Sequence, residues 1–322
     1  MNKEALHNFA SFLLCEETDE VCFACHVSPD GDTLGSAFAL ARLVRARGRR
    51  AFVHVPEAIP ETLLFLTEGF DNAPFEPKTV VAVDVSTPDR LGADFPYPDR
   101  VRAVIDHHKN NSFDVAVSFV EPEISATGLL VAAVFDEAGE AYTPEVATAL
   151  YTAVSTDTGR FCHTNTTSDV FRLAARLCEC VPEGTFGALN RRLFVEQPKK
   201  QLALEAYILS HAECLDELGC VFFVLTQKLR RRFGLTEKSD LSSLVDVIRR
   251  FSGYSVFVLA KEQEERGVYK LSVRSEATPT AIDLCRPFGG GGHEKAAGCT
   301  IRARSARALK KIFLSSLEKG TK

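Results

Sequence analysis

Four short stretches of this sequence carry carboxylates and imidazoles where apolar segments end. His26-Val-Ser-Pro-Asp30-Gly-Asp32 packs one imidazole and two carboxylates into seven residues. Imidazole with carboxylate is the ligand set of Mn²⁺, zinc or iron rather than of Ca²⁺, although Pro-Asp-Gly-Asp is good turn chemistry by itself. Asp84 directly follows the apolar run Val80-Val81-Ala82-Val83. It could equally cap a helix, because Ser86, Thr87 and Pro88 come next. Asp106-His107-His108 puts three titratable side chains in a row after Val104-Ile105. In extended chain, Asp106 and His108 point to one side and His107 to the other, so the adjacent residues can serve different purposes; a surface His pair is the plain alternative. Asp157, in Thr156-Asp157-Thr158-Gly159-Arg160-Phe161, closes the apolar helical stretch from Ala147 to Val154.

A fifth stretch, Phe288-Gly289-Gly290-Gly291-Gly292-His293-Glu294-Lys295-Ala296-Ala297-Gly298, is of another kind. Its glycines let backbone approach a ligand closely, and their N–H groups can cradle a phosphate or a base edge. No Gly-Lys-Ser/Thr follows, so it is not a Walker loop. A flexible linker is the bland reading, against which stand His293 and the small-residue run Ala-Ala-Gly.

The elements that must position these residues alternate through the first half. Strands are expected at Val21–His26, Ala51–Val55, Thr79–Val85, Val101–Ile105 and Val115–Glu121. Helices are expected from Leu34 to Arg47, stopped by Gly48, from a Ser125 cap through Ala138, stopped by Gly139, and from Pro144 onward. Short, wholly apolar strands alternating with helices indicate an α/β fold with a mostly parallel sheet flanked by helices. In such sheets ligands bind where strands exit into loops. From Thr167 to Leu215 the pattern is helical. Beyond it, strands at Cys220–Thr226, Ser255–Lys261 and Val268–Arg274 mix with helices at Ser239–Phe251, Thr280–Pro287 and Ser305–Leu317, as in a smaller α/β domain with a mixed sheet. The expected division is 1–190 for the first domain, 191–216 for a helical connector and 217–322 for the second domain.

With 322 residues, 45% hydrophobic and 25% charged, the chain can bury a sizeable core. A formal net charge of −5 argues against a general duplex-DNA binder, but not against an anionic substrate held through metal ions. The sequence has no membrane span, and its N-terminus lacks a signal-peptide pattern, so a cytoplasmic setting with reduced cysteines is expected. Cys22 and Cys25 form a C-x-x-C inside an apolar strand with no second pair to complete a zinc site, and read as buried thiols. His7, His54 and His211 have no carboxylates around them and read as surface or packing residues. The Lys228, Arg230, Arg231, Arg232 run reads as a solvated helix end.

Taken in order, H-x-x-x-D-x-D, a strand-terminal Asp, D-H-H, a later S-T-D-T-G and G-G-G-H-x-x-A-A-G resemble the DHH phosphoesterase family with its DHH-associated C-terminal domain. The resemblance spans about residues 20–300, and the compact length is similar to the nanoRNase and pAp phosphatase branch. It implies two divalent ions per chain, Mn²⁺ foremost, with Mg²⁺, Co²⁺ or Fe²⁺ as substitutes. One ion would be held by His26, Asp30 and Asp84, and the other by Asp32, Asp84, His107 and Asp157. Paired ions about 3.5–4 Å apart can share a carboxylate and activate water for in-line attack on phosphorus. His108 would contact the substrate phosphate and Asp106 would orient a histidine. Arg274, with Ser275 beside it, would fork onto a terminal phosphate, and Gly290, Gly291, Gly292 and His293 would hold the nucleotide. His163 reads as structural.

The implied reaction is hydrolysis of short single-stranded oligoribonucleotides, of pApA-type dinucleotides and of 3′-phosphoadenosine 5′-phosphate (pAp). Inorganic pyrophosphatases share the N-terminal motifs, but the glycine-rich segment speaks against that activity. Single-strand exonucleases of the same superfamily carry extra domains for which this length leaves little room. A nucleotide- or RNA-binding module without catalysis should have lost a metal ligand, and none is missing. The resemblance also admits a homodimer, although no seam is legible.

Overall fold

The computed structural model describes residues 1–15, 18–235, 241 and 244–320, the last three of these by backbone alone. The chain divides into two compact units, Met1–Glu196 and Gln197–Lys322.

The first unit runs α1 (Lys3–Leu14), β1 (Val21–Ala24), α2 (Gly31–Ala46), β2 (Ala51–His54), β3 (Thr79–Val83), β4 (Val101–Asp106), β5 (Val117–Val120), α3 (Thr127–Ala138), α4 (Pro144–Asp157), α5 (Ser168–Cys178) and α6 (Thr185–Phe194). The five strands form one parallel sheet in the order β2-β1-β3-β4-β5. Strand alternation sorts the apolar side chains onto two faces. Val21, Phe23, Val81, Val83, Ala103 and Ile105 face a core built with Phe9, Phe38, Leu130 and Leu150 of the helices. Cys22, Ala24, Val80, Ala82 and Val104 face the other way, onto Phe52 and Leu91, with Phe75, Phe95, Tyr97 and Phe113 closing over them. The helices therefore gather on one face, and loops carrying aromatic residues cover the second.

Two local expectations differ from what is found. Helix α2 begins three residues earlier than expected, because Asp30 caps it by accepting the N–H groups of Asp32 and Thr33. Ser125 does not cap α3: Ala126 holds that position without a side-chain bond, and the Ser125 hydroxyl donates to the Asn165 carbonyl. Helix α1 gave no sequence signal that was read as such; it packs against α3 and β5.

The second unit contains α7 (Lys199–His211), β6 (Glu213–Leu215), β7 (Cys220–Leu225), α8 (Gln227–Arg232), α9 (Leu244–Ile248), β8 (Val256–Glu262), β9 (Val268–Ser275), α10 (Ala281–Cys285), β10 (Gly291–Gly292), β11 (Ala296–Arg302) and α11 (Ala306–Gly320). Its sheet has the order β10-β11-β9-β8-β7-β6, with β7 and β8 parallel and the remaining pairs antiparallel. The helix expected at Ser239–Phe251 falls partly on residues outside those described; within them it is α9. Strands β6, β10 and β11 were not expected. Strand β11 escaped notice because the glycine-rich run before it and Ala-Ala-Gly at its start mask the alternation of Ala297, Cys299 and Ile301, which are buried. No helix among the described residues is long and apolar enough to cross a membrane.

Candidate metal centre and active site

The order β2-β1-β3-β4-β5 places the topological switch point between β1 and β3, where open parallel sheets bind ligands at their carboxyl ends. Each acidic or imidazole stretch of the first unit sits at such an end. His26 lies just beyond β1, Asp84 follows β3, and Asp106 closes β4 with His107 and His108 after it. Asp30 and Asp32 lie at the start of α2, and Asp157 ends α4. Asp84 has φ of 61°, a left-handed conformation that few residues besides glycine and Asn/Asp adopt. Its N–H still bonds the Ile105 carbonyl at 2.9 Å, so the chain leaves the sheet at the carboxylate itself.

Both histidines of the centre are anchored through Nδ1. His26 Nδ1 lies 2.8 Å from the Val27 carbonyl, and His107 Nδ1 lies 3.1 Å from that of Ile124. A carbonyl accepts only, so each Nδ1 carries a hydrogen and each Nε2 faces the carboxylates, where a cation could displace any proton it bears. His26 Nε2 is 3.6 Å from Asp84 and 3.8 Å from Asp30. His107 Nε2 is 3.6 Å from Asp84, 3.8 Å from Asp157 and 3.9 Å from Asp32. These gaps are too long for hydrogen bonds. They are slightly wider than the ~3–3.5 Å between neighbouring donors around a divalent ion with ~2.1 Å bonds. The donor atoms fall into the groups His26-Asp30-Asp84, Asp32-His107-Asp157 and Asp84-His107-His108, each within 4.8 Å. Imidazole Nε2 atoms converging on a cluster of carboxylates fit divalent cations.

Asp32 has a second duty. Its Oδ2 accepts the Thr127 N–H at 2.7 Å, and its Oδ1 accepts those of Gly128 at 2.9 Å and the Ser36 hydroxyl at 3.1 Å. The Thr127 hydroxyl in turn donates to Asp84 Oδ1 at 2.8 Å. One residue at the start of α3 thus ties two buried, metal-capable carboxylates together. The close approach of α2 to α4 depends on glycine: a Cβ at Gly31 would strike the Thr156 side chain, and one at Gly35 the Ala149 carbonyl. After Asp157 the chain reverses through Gly159, Arg160 and Phe161, all left-handed at 54°, 61° and 63°. Asn165 then bonds back to the carbonyls of Ser125 and Asp157 at 3.1 and 3.3 Å. The His163 ring occupies the space a Cβ on Gly159 would need.

The opposite facings expected of His107 and His108 are not found: their rings lie 4.8 Å apart and both approach Asp84 Oδ1, at 3.6 and 3.7 Å. His107 turns to the carboxylate cluster, while His108 Nδ1 donates to Asp106 Oδ1 at 2.6 Å. Asp106 is wholly buried and also accepts the His107 N–H at 2.8 Å and Asn111 Nδ2 at 2.7 Å. The sequence reading missed Asn111 and Thr127, as well as Arg90, whose guanidinium lies 3.3 Å from His26 Nδ1. An Asn in a polar loop and a Thr at a helix start carry no signal of the residue they meet.

Crowding shapes the electrostatics. Burial, then the charges of Asp84, Asp157 and Asp30, raise the Asp32 carboxyl well above its ordinary range. Burial likewise lifts Asp84 despite His26. Asp157 rises to about 6, through burial and the Asp84 and Asp30 charges, with His107 opposing. Burial works against charge on His26, but Asp30 and Asp84 outweigh it and bring the imidazole to about 10. Asp106 chiefly raises His108. Burial would raise Asp106 itself, but His108 and Asn111 hold it low. Negative charge is thus concentrated where burial disfavours it, which is the setting a cation relieves.

In the second unit, β9 carries Arg274 in register with Ala296 and next to Ser275. The Ser275 N–H bonds the Lys295 carbonyl at 3.1 Å. The glycine-rich segment is the hairpin β10–β11, closed by the His293 N–H on the Ala296 carbonyl at 2.7 Å. Gly290 is enclosed by Gly298, Cys299 and Cys285, whereas Gly291 stands open and His293 is exposed. Arg274, Ser275 and Gly290 to His293 therefore share one end of this sheet. The Ser275 hydroxyl is buried and spent on the Ala277 and Pro279 carbonyls at 2.7 and 2.9 Å. Cys22 and Cys25 are buried free thiols, and burial pushes Cys25 up to about 12.

Residues 20–154 match the DHH family, N-terminal domain, and residues 223–319 match the DHHA1 domain. The chain is 33% identical over 290 residues to the bifunctional oligoribonuclease and PAP phosphatase NrnA of Thermus thermophilus, covering 88% of this chain and 84% of that protein. It is 27% identical over 289 residues to the protein of the same name from Bacillus subtilis, covering 88% and 90%. The crystal structure of an exopolyphosphatase-related protein from Bacteroides fragilis superposes with a TM-score of 0.84 at 23% identity, over 99% of this chain and 96% of that one; at that identity the likeness speaks for the fold. The metal-capable groups, the two matched domains and a relative of one-third identity along nearly the whole chain lead to one conclusion: the chain belongs to the DHH family.

Proposed function

We propose that this chain is a phosphoesterase that hydrolyses short oligoribonucleotides to mononucleotides and pAp to AMP. The observation that carries the reading is the sharing of Asp84 between metal-capable groups at the sheet's switch point, in a chain 33% identical to an oligoribonuclease and PAP phosphatase. His26, Asp30 and Asp84 would hold one divalent ion, and Asp32, Asp84, His107 and Asp157 a second, Mn²⁺ being favoured by the mixed imidazole and carboxylate donors. Such a pair supplies Lewis acidity and a nucleophile near neutral pH.

The chain's own groups do the rest. His26 and His107 present Nε2 atoms on rings fixed by the Val27 and Ile124 carbonyls. Thr127 fixes the Asp84 carboxylate. His108, oriented by Asp106, offers its outer nitrogen to a phosphate oxygen or a leaving group. Arg274 forks onto a terminal phosphate, and the Gly290–Gly292 backbone with His293 contacts the nucleotide. Ser275 shapes the turn that supports Arg274.

The test is Mn²⁺-dependent product release from pAp, pApA, RNA of two to five nucleotides, a 24-mer and pyrophosphate. Hydrolysis of the short nucleotides with the 24-mer and pyrophosphate spared is expected. Pyrophosphate as the best substrate would overturn the reading.

A further inference from the structure

Asn111 sits in the polar loop after β4, five residues from Asp106. Its amide assignment follows from its partners: Nδ2 faces two acceptors, the Asp106 carboxylate at 2.7 Å and the Val85 carbonyl at 3.0 Å. Oδ1 faces a donor, the Phe113 N–H at 3.1 Å. Every polar position of the side chain is therefore in use. The last bond forms an Asx turn, which is local structure. The other two reach into the site.

Val85 is the residue after Asp84, at the point where the left-handed conformation of Asp84 takes the chain out of the sheet. The neighbouring Ser112 N–H bonds the Ser86 carbonyl at 2.9 Å, so the two loops are laced together side by side. Through its second N–H, Asn111 holds Asp106 Oδ2, leaving Oδ1 for His108 Nδ1 at 2.6 Å. A single amide thus connects the strand end that bears Asp84 to the carboxylate that aims His108, whose Nδ1 stands 3.7 Å from Asp84 Oδ1.

We propose that Asn111 is a positioning residue of the hydrolytic site, which sets His108 relative to Asp84 by fixing Asp106. The proposal rests on the phosphoesterase reading only for its kinetic readout. Asn111 touches none of the atoms that would hold metal, so its loss should act on turnover and leave the ions in place. Carboxylates that orient a working imidazole through such bonds typically matter by roughly 10- to 100-fold.

Asn111→Asp separates this role from a local one. Asp accepts the Phe113 N–H as well as Asn does and keeps the Asx turn. It removes both N–H donors and sets a carboxylate against Asp106. The expected result is a fall in kcat of about 10- to 100-fold, with KM and metal stoichiometry unchanged, beside a lower melting temperature from the lost donors and the second carboxylate at buried Asp106. Exchanging the pair, Asp106→Asn with Asn111→Asp, re-forms an amide–carboxylate bond in reverse: Asn at 106 accepts from His108 through Oδ1 and donates to Asp at 111. That double variant should exceed the Asn111→Asp single variant in kcat.

A second readout needs no turnover. The His108 Nδ1 proton should give a downfield, exchange-protected signal in the proton NMR spectrum of the wild type, and Asn111→Asp should abolish its protection. Wild-type kcat together with an unchanged proton signal would overturn the proposal, as would loss of metal in Asn111→Asp. A wild type inactive on every nucleotide but showing the proton signal and its loss would count against the phosphoesterase reading alone.

Discussion

The Asp32 carboxylate caps a helix that begins ninety-five residues later, its Oδ2 lying 2.7 Å from the Thr127 N–H. Helix α3 lacks a side-chain cap of its own, so the N–H groups of its first turn are satisfied by a residue that also faces His107 Nε2 at 3.9 Å. A helix N-terminus favours negative charge, and here that preference holds a candidate metal ligand in place.

Asp32→Ala should therefore lose stability as well as metal. Removing the acceptor leaves buried N–H groups unpaired, at a cost of about 1–3 kcal/mol. Asp84→Asn is expected to differ. Its oxygen can still accept from the Thr127 hydroxyl, and burial already disfavours the ionised carboxylate. Denaturant unfolding of the metal-free proteins should show Asp32→Ala weakened and Asp84→Asn equal to wild type or above it. Asp84→Asn should still lose more than roughly 10²-fold in activity.

Metal removal gives a companion measurement. A ligand bound only by the folded state at 100 times its Kd stabilises by about 2.7 kcal/mol. Chelation should lower the melting temperature of the wild type, and Mn²⁺ should restore it. Asp84→Asn, lacking the carboxylate that joins two metal-capable groups, should show a much smaller response. An equal response in both proteins would contradict the shared role of Asp84.

Gly35→Ala tests the packing that sets Asp32 and Asp157 on one site. The added methyl would meet the Ala149 backbone carbonyl and the Ala153 methyl. Overpacking of this kind costs about 1–3 kcal/mol. Reduced stability with weaker Mn²⁺ binding is expected from thermal unfolding and metal titration; unchanged values in both would show that α2 and α4 can part without consequence.

Much of this was legible in the sequence, for physical reasons that also mark the limits. Apolar runs ending in Asp84 or Asp106 announce both a buried strand and a charge at its exit, so strand ends and candidate ligands were read together. Asp30 and Asp32 were legible because His26 lies within the same turn. Thr127, Asn111 and Arg90 were not, since their importance lies in a partner brought close only by folding. Strand β11 was hidden by small residues at its start, and α1 by its thin buried stripe of Phe9, Ala10 and Leu13.

Arg274→Ala should raise KM for substrates bearing a terminal phosphate, while Mn²⁺ stoichiometry stays unchanged. All candidate metal-holding residues lie in the first unit and Arg274 in the second. Steady-state kinetics on pAp and on a dinucleotide with and without its terminal phosphate would measure the effect. Equal KM values in variant and wild type would remove Arg274 from substrate binding.

Arg176→Ala offers a pH test away from the centre. Arg176 grips Asp136 at 2.5 and 2.9 Å. Burial would raise the Asp136 carboxyl, but Arg176 and Tyr142 outweigh it and hold it below its ordinary value of 3.8. A depressed carboxylate adds stability above its unfolded pKa, and that stability disappears as pH falls through the lower, folded value. Both side chains are about half exposed, so screening limits the pair to at most about 1 kcal/mol. Urea unfolding should show the variant weaker than wild type at pH 7, with the gap closing below about pH 3.9. A gap independent of pH would assign the effect to lost contact with the Tyr142 ring.

The candidate ligands run from His26 to Asp157, and all belong to the unit Met1–Glu196. During synthesis the first group is complete once Asp84 has left the ribosome, whereas the second waits for the end of α4. Asp84, however, is fixed through the Ile105 carbonyl and the Thr127 hydroxyl, so neither group takes shape before the start of α3 has been made. All of the candidate ligands nevertheless precede β7 to β11 in the chain, so the order of synthesis sets the candidate metal centre ahead of the second unit.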